Sequence, residues 1–181
     1  MDQGIVAIVT GAITAVAGVG GTAAGAFVAA KGARKQVREQ GAIEHAQWLR
    51  QGRSSAYQSY LEGLYAVDVA LSVALTAVQH TADGDERERL ALAIGELRRL
   101  QWQVITAGPR RMGELASQAY AVAQHSVAAL ANAHMFRGRA DSEGHTEACE
   151  EASGLRSQLL TVRADFAEGA ATVLSSPTML A

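Results

Sequence analysis

Tyr57-Gln58-Ser59-Tyr60-Leu61-Glu62-Gly63-Leu64-Tyr65-Ala66-Val67-Asp68-Val69-Ala70-Leu71-Ser72-Val73-Ala74-Leu75-Thr76-Ala77-Val78 places large apolar residues at helical spacing. Tyr57, Leu61, Leu64, Leu71, Leu75 and Val78 follow the i, i+3/i+4 rule, which predicts one apolar face on a helix ending near His80. Asp68 is the one acid on that stripe, between Leu64 and Leu71. A carboxylate there is a functional candidate, an ion-pair partner for an arginine of a facing helix, or a group at the edge of the stripe.

The same reading continues downstream. Thr81-Ala82-Asp83-Gly84-Asp85 has turn chemistry, with Gly84 suited to positive φ. Leu90, Ile94, Leu97, Leu100 and Val104 mark a second apolar face, which stops at Gly108-Pro109. Met112, Leu115, Ala119, Val122, Ser126, Ala129, Ala133 and Phe136 mark a third, so poor in large side chains that its partner must pack closely. After a turn region from Gly138 to Gly144, Leu155, Leu159, Val162, Phe166 and Val173 form the last face, which ends before Pro177. Helical segments joined by short turns predict an antiparallel up-and-down bundle over residues 54–176, with a fraying tail at 177–181. Composition agrees with an all-α fold: the 181 residues include 37 alanines, two prolines and nine aromatics. The lone Cys149 excludes an intrachain disulfide and a cysteine-based zinc framework.

Upstream, residues 5–30 carry no charge. As a helix this run would extend roughly 39 Å, against about 30 Å of hydrocarbon in a bilayer. It predicts a transmembrane helix over residues 1–30. Lys31, Arg34, Lys35 and Arg38 follow it closely and only Asp2 precedes it, so the positive-inside rule places the N-terminus outside and the bundle in the cytoplasm of a cell-membrane protein. The formal charge of −2 hides a segregation. A juxtamembrane stalk over residues 31–53 has six basic and two acidic side chains, whereas residues 54–181 have ten and fifteen. A secretory signal peptide fits poorly, because Met-Asp-Gln-Gly lacks a basic n-region and the apolar run is too long. Val9-Thr10-Gly11-Ala12 and Gly18-Val19-Gly20 have the wrong spacing for a dinucleotide-binding turn, and no alternating strand and helix follows.

Gly4, Gly11, Gly18, Gly25 and Gly32 recur at intervals of seven. The neighbouring rows, Gly21 included, are mostly small. A smooth helix face of this kind lets backbones approach closely in lipid, and a period of 3.5 residues per turn keeps it aligned in a left-handed, coiled-coil-like supercoil. With one such span per chain, the expected partner is a second copy. Lys31, Lys35 and Arg38 share a face and serve as a topology signal, with about 1 kcal/mol per side chain available at an anionic leaflet.

Residues 44–61 read Glu44-His45-Ala46-Gln47-Trp48-Leu49-Arg50-Gln51-Gly52-Arg53-Ser54-Ser55-Ala56-Tyr57-Gln58-Ser59-Tyr60-Leu61. With the small-residue helix before it, this segment resembles uncharacterised actinobacterial single-span membrane proteins, in which Trp-Leu-Arg, a further Arg and Ala-Tyr-x-x-Tyr-Leu open a cytoplasmic helical domain. The resemblance covers roughly residues 1–65. It implies membrane association and bacterial origin, with no activity to carry over. Trp48, Tyr57, Tyr60 and Leu61 are expected to pack at the base of the bundle, with Arg50 and Arg53 stacking on rings or pairing with acids.

Chemistry-bearing motifs are sparse. The histidines at 45, 80, 125, 134 and 145 form no zinc-type pair, and His145 with Cys149 supplies two metal ligands where a structural zinc needs four. No nucleophile elbow, phosphate-binding loop or di-iron pattern occurs. Glu143, Glu147, Glu150 and Glu151 read as a solvated helix face, and Arg98, Arg99, Arg110 and Arg111, which bracket a helix–turn junction, as solvated helix ends in preference to a site for an anionic partner. The expectation is a protein without catalytic, cofactor or metal site and without a nucleic-acid or small-molecule ligand. It meets the lipid bilayer, a second copy of itself and a cytoplasmic protein partner. Two alternatives stay open: a pore-forming or channel-type homo-oligomer, with Thr10, Thr14 and Thr22 as the polar side chains of the span, and a soluble helical oligomer.

Overall fold

A computed structural model describes the backbone of residues 3–80 and 85–176, and the side chains of residues 40, 41, 43–80 and 85–176. The expected turn at 81–84, the tail at 177–181 and the side chains of the glycine stripe and of Lys31, Arg34, Lys35 and Arg38 lie outside the described residues. Among those described, the protein is all-α: a long apolar first helix, α1 (Gln3–Gln79), is followed by α2 (Glu86–Ala107), α3 (Arg110–Gly138) and α4 (Ser142–Ser175). The chain divides into two compact units, Met1–Gln47 and Trp48–Ala181. The first is helical from Gln3 onward. The second is the bundle.

In the bundle, Tyr57, Tyr60, Leu64, Val67, Leu71, Ala74 and Val78 of α1 are buried, at steps alternating between three and four residues. That alternation is the seam of knobs-into-holes packing. Four side-chain contacts give the topology. Gly63 of α1 faces Leu97 and Leu100 of α2, and Arg53 Nε donates to the Ala107 carbonyl at the end of α2. Gln101 of α2 donates to Ser117 of α3, and His145 near the start of α4 meets the Ala133 carbonyl late in α3. Each helix therefore runs antiparallel to the one before it. Asp68 bonded to Arg156, and Tyr57 against Phe166, bring α4 back beside α1 and close the bundle.

α2 buries the whole stripe expected of it, whereas Leu115 and Phe136 of the α3 row and Leu155 and Val173 of the α4 row are only half-buried at the edge of the core. On α3 half of the buried residues are alanines and Gly113 and Ser126 are also small, with Met112, Val122 and Leu130 as the larger members. Close approach is the consequence: a Cβ on Gly169 of α4 would lie 3.1 Å from Met112 Sδ and 3.3 Å from Leu115 Cδ1, closer than ordinary van der Waals contact. Two expectations for α1 are also corrected. Leu61 is only half-buried, its place in the seam being taken by Tyr60 and Leu64, and Trp48 is 69% exposed rather than packed in the core. Trp48 stands nine residues, about 13 Å of helix, before the first core residue Tyr57.

The turns have local causes. Proline disfavours helical geometry at the residue before it. Gly108 is accordingly extended (φ −106°, ψ 171°) and α2 ends, the Gly108 N–H closing on the Val104 carbonyl. Between α3 and α4, Ala140 takes a left-handed conformation (φ 56°), while the N–H groups of Ala140 and Asp141 donate to the carbonyls of Arg137 and Phe136. The Asp141 carboxylate then accepts from the Gly144 N–H at 3.0 Å and caps α4.

Gly108 sits where little else fits. A Cβ there would lie 2.5 Å from the Tyr57 hydroxyl and 3.1 Å from the Val104 carbonyl oxygen. That hydroxyl is buried and has no hydrogen-bond partner among the described residues. Gly108→Ala should therefore cost about 1 kcal/mol by overpacking. Tyr57→Phe, which removes an unsatisfied buried group, should be neutral or slightly stabilising and should relieve most of the alanine's cost. Urea unfolding of the two single variants and the double variant checks this; additive losses would refute the contact.

One helical segment among the described residues, Ile43–Gln79, is long and apolar enough to cross a membrane. Its apolar stripe is the α1 seam just described, so the same property is accounted for by burial among the other bundle helices.

Candidate interaction surface

The apolar residues of α1 exceed what the seam uses. Tyr65, Val69 and Val73, spaced i, i+4 and i+8, form a second stripe beside the buried one and are 61%, 42% and 44% exposed. With Ala66 and Ala70 of α1 and Ala93 of α2 they line a shallow groove of about 380 Å³, with Glu86 and Arg89 as its charged members. Leu92, 68% exposed, adds to the apolar surface of α2. The groove offers a surface on which apolar side chains can pack, with Glu86 and Arg89 at hand for polar contacts. Reading the α1 stripe for its core face alone missed this strip. The signal was present as a second apolar row on the same helix.

Elsewhere several buried polar groups are engaged within the fold. Asp68, with 12% of its side chain exposed, accepts from Arg156 Nε at 2.7 Å, which realises the facing-helix pairing among the three readings of that acid. Tyr60 donates its buried hydroxyl to the Ala116 carbonyl at 2.6 Å, and burial pushes its pKa well above the usual range. Burial also raises Tyr57, against a smaller opposing effect of the nearby Arg53 guanidinium.

His145 Nδ1 lies 2.9 Å from the Ala133 carbonyl, so Nδ1–H donates there, and Nε2 lies 3.8 Å from Cys149 Sγ. Burial raises the Cys149 thiol. The protonated thiol is a poor nucleophile and metal ligand, and the arrangement ties α3 to α4 instead. Among the described residues no three His, Cys, Asp or Glu side chains are grouped to hold a metal ion.

On the surface, Arg89 pairs with Asp85, Arg110 with Glu114 and Arg99 with Glu96, the last holding the Glu96 carboxyl below its usual pKa through hydrogen bonding and charge. Such exposed pairs contribute little to stability. Arg98 and Arg111 are exposed, as are Glu143, Glu147, Glu150 and Glu151. Gly4, Gly11, Gly18, Gly21, Gly25 and Gly32, the residues expected to pack helices, belong to the helical backbone of the first unit, with their surroundings outside the described residues. No protein-family model matches the chain, and no curated protein or solved structure matches it either.

Proposed function

We propose that the chain is a non-catalytic, single-span membrane protein of the cell membrane. Residues 5–30 cross the bilayer with the N-terminus outside. The chain self-associates through Gly4, Gly11, Gly18, Gly25 and Gly32, and its bundle is a cytoplasmic interaction or scaffolding module. The observation that carries the interaction reading is the Tyr65-Val69-Val73 strip, apolar surface that the bundle leaves outside its core. The membrane reading is supported by the uncharged run and by the four basic residues that follow it.

The test uses the full chain in membranes. It should pellet with the membrane fraction and resist alkaline carbonate, and cross-linking should trap a homo-oligomer. Replacing Gly11 and Gly18 with Ile should reduce that oligomer several-fold, because branched side chains hold the backbones apart. Val69→Asp should leave the oligomer intact and lower cross-links to other cytoplasmic proteins. Recovery in the supernatant would overturn the membrane reading, an oligomer unchanged by the two isoleucines would overturn the packing, and cross-links unchanged by Val69→Asp would overturn the role of the strip.

A further inference from the structure

Exposed charge is unequal at the two ends of the bundle, although Asp165 and Glu168 of α4 lie at its α2–α3 end and Arg87, Arg89 and Arg139 at the other. On α2, Arg98, Trp102 and Ile105 follow one another at i, i+4 and i+7, and all three are exposed, Trp102 by 58%. The adjoining α2–α3 turn adds Arg110 and Arg111, both exposed, with Glu114 the acid beside Arg110. Arg53 of α1 reaches the same turn through the Ala107 carbonyl. At the opposite end of the bundle, the first turns of α4 carry the exposed Glu143, Glu147, Glu150 and Glu151.

We propose that the α2–α3 end of the bundle docks on an anionic lipid surface, with Trp102 and Ile105 entering the interfacial layer and Arg98, Arg110 and Arg111 over the lipid headgroups. The chemistry is that of interfacial helices: an amphipathic indole, a branched aliphatic side chain and arginines whose apolar stems can lie along the surface while their guanidinium groups meet phosphate. Charge complementarity selects the orientation. The basic end is drawn to a negative leaflet, and the acidic end is repelled by it. An apolar protein groove would match Trp102 and Ile105 but would leave Arg98 and Arg111 without anionic partners, Arg110 alone having Glu114. The inference deepens the membrane reading above, adding a second contact with the bilayer made by the folded domain.

The chain has two tryptophans, so Trp48→Phe leaves Trp102 as the sole indole reporter. In that background the full chain is reconstituted in vesicles of neutral phosphatidylcholine, or of the same lipid with anionic phosphatidylglycerol, each with and without brominated acyl chains. The expected result is a blue-shifted Trp102 emission, quenched by brominated lipid in anionic vesicles and released by high salt. Arg110→Glu with Arg111→Glu should lower that lipid contact at least about tenfold. Trp102 that stays accessible to iodide and unquenched in anionic vesicles overturns the proposal. So does shielding that is equal in neutral vesicles and rises with protein density, the mark of a second copy on this face. Carbonate extraction separates the two readings. A chain that resists extraction while Trp102 is unquenched retains the span and loses the docking. A chain that is extracted, yet binds anionic vesicles in a salt-sensitive way with Trp102 quenched, loses the span and retains the docking.

Discussion

Phe166→Ala is expected to lower the stability of the bundle by about 3–5 kcal/mol, the range for truncating a fully buried aromatic ring. Phe166 of α4 is fully buried and holds the centre of the aromatic cluster. Its ring meets Tyr57 edge-on at 5.8 Å and Tyr60 at 4.9 Å with a 47° tilt. Alanine would remove the transfer energy of the ring, leave a cavity between α1 and α4, and strip both tyrosines of their aromatic partner. The surroundings cannot collapse easily, because the Tyr60 hydroxyl is anchored to the Ala116 carbonyl of α3. Domains of this size are stable by roughly 5–15 kcal/mol, so the loss would take a large share of the total. Phe166→Leu, which fills more of the volume, should cost distinctly less. Urea unfolding of the full chain in mild detergent, followed by circular dichroism, measures both. A loss below about 1 kcal/mol for the alanine variant would show that this cluster is not the packed centre of the bundle.

Arg156→Ala should cost about 2 kcal/mol, because it leaves the Asp68 carboxylate on the buried seam without its cationic donor. The figure is set below the full penalty for breaking a buried pair, since 36% of the Arg156 side chain is open to water and solvent screens that end of the bridge. Asp68 lies between Leu64 and Leu71 in an otherwise apolar row, so its removal has a different sign of consequence. Replacing Asp68 and Arg156 together with leucine should bring stability back to near that of the parent, because the bridge offsets a desolvation cost that the apolar pair never incurs. A double-mutant cycle on unfolding free energy gives the coupling directly. If Arg156→Ala and the double leucine variant were equally destabilised, the pair would be a net source of stability and the argument from desolvation would fail.

These two predictions depend differently on what could be read from the chain. The apolar rows of all four bundle helices follow from a period of 3.6 residues. The α2–α3 turn follows from proline's effect on its neighbour, and Asp68 stands out as the one acid in its stripe. Phe166, by contrast, is one apolar residue among several in the α4 row, and nothing in its spacing marks it as the partner of Tyr57 and Tyr60. Trp48 shows the opposite error. It looks like core material by type, yet it precedes the seam by about two and a half turns and is 69% exposed. The second stripe at Tyr65, Val69 and Val73 was equally visible as spacing, but spacing does not say which of two apolar rows on one helix will be covered.

Helix content, turn positions, the sorting of charge and the apolar rows are properties of neighbouring residues, governed by backbone sterics and side-chain periodicity within a few turns. They are legible in the order of the amino acids. The pairing of Asp68 with Arg156 and of Tyr60 with Ala116 spans 88 and 56 positions. So does the choice of which rows are buried and which are left as surface depend on such distances along the chain. These outcomes require the helices to compete for one another's faces, and shape and desolvation settle that competition in three dimensions.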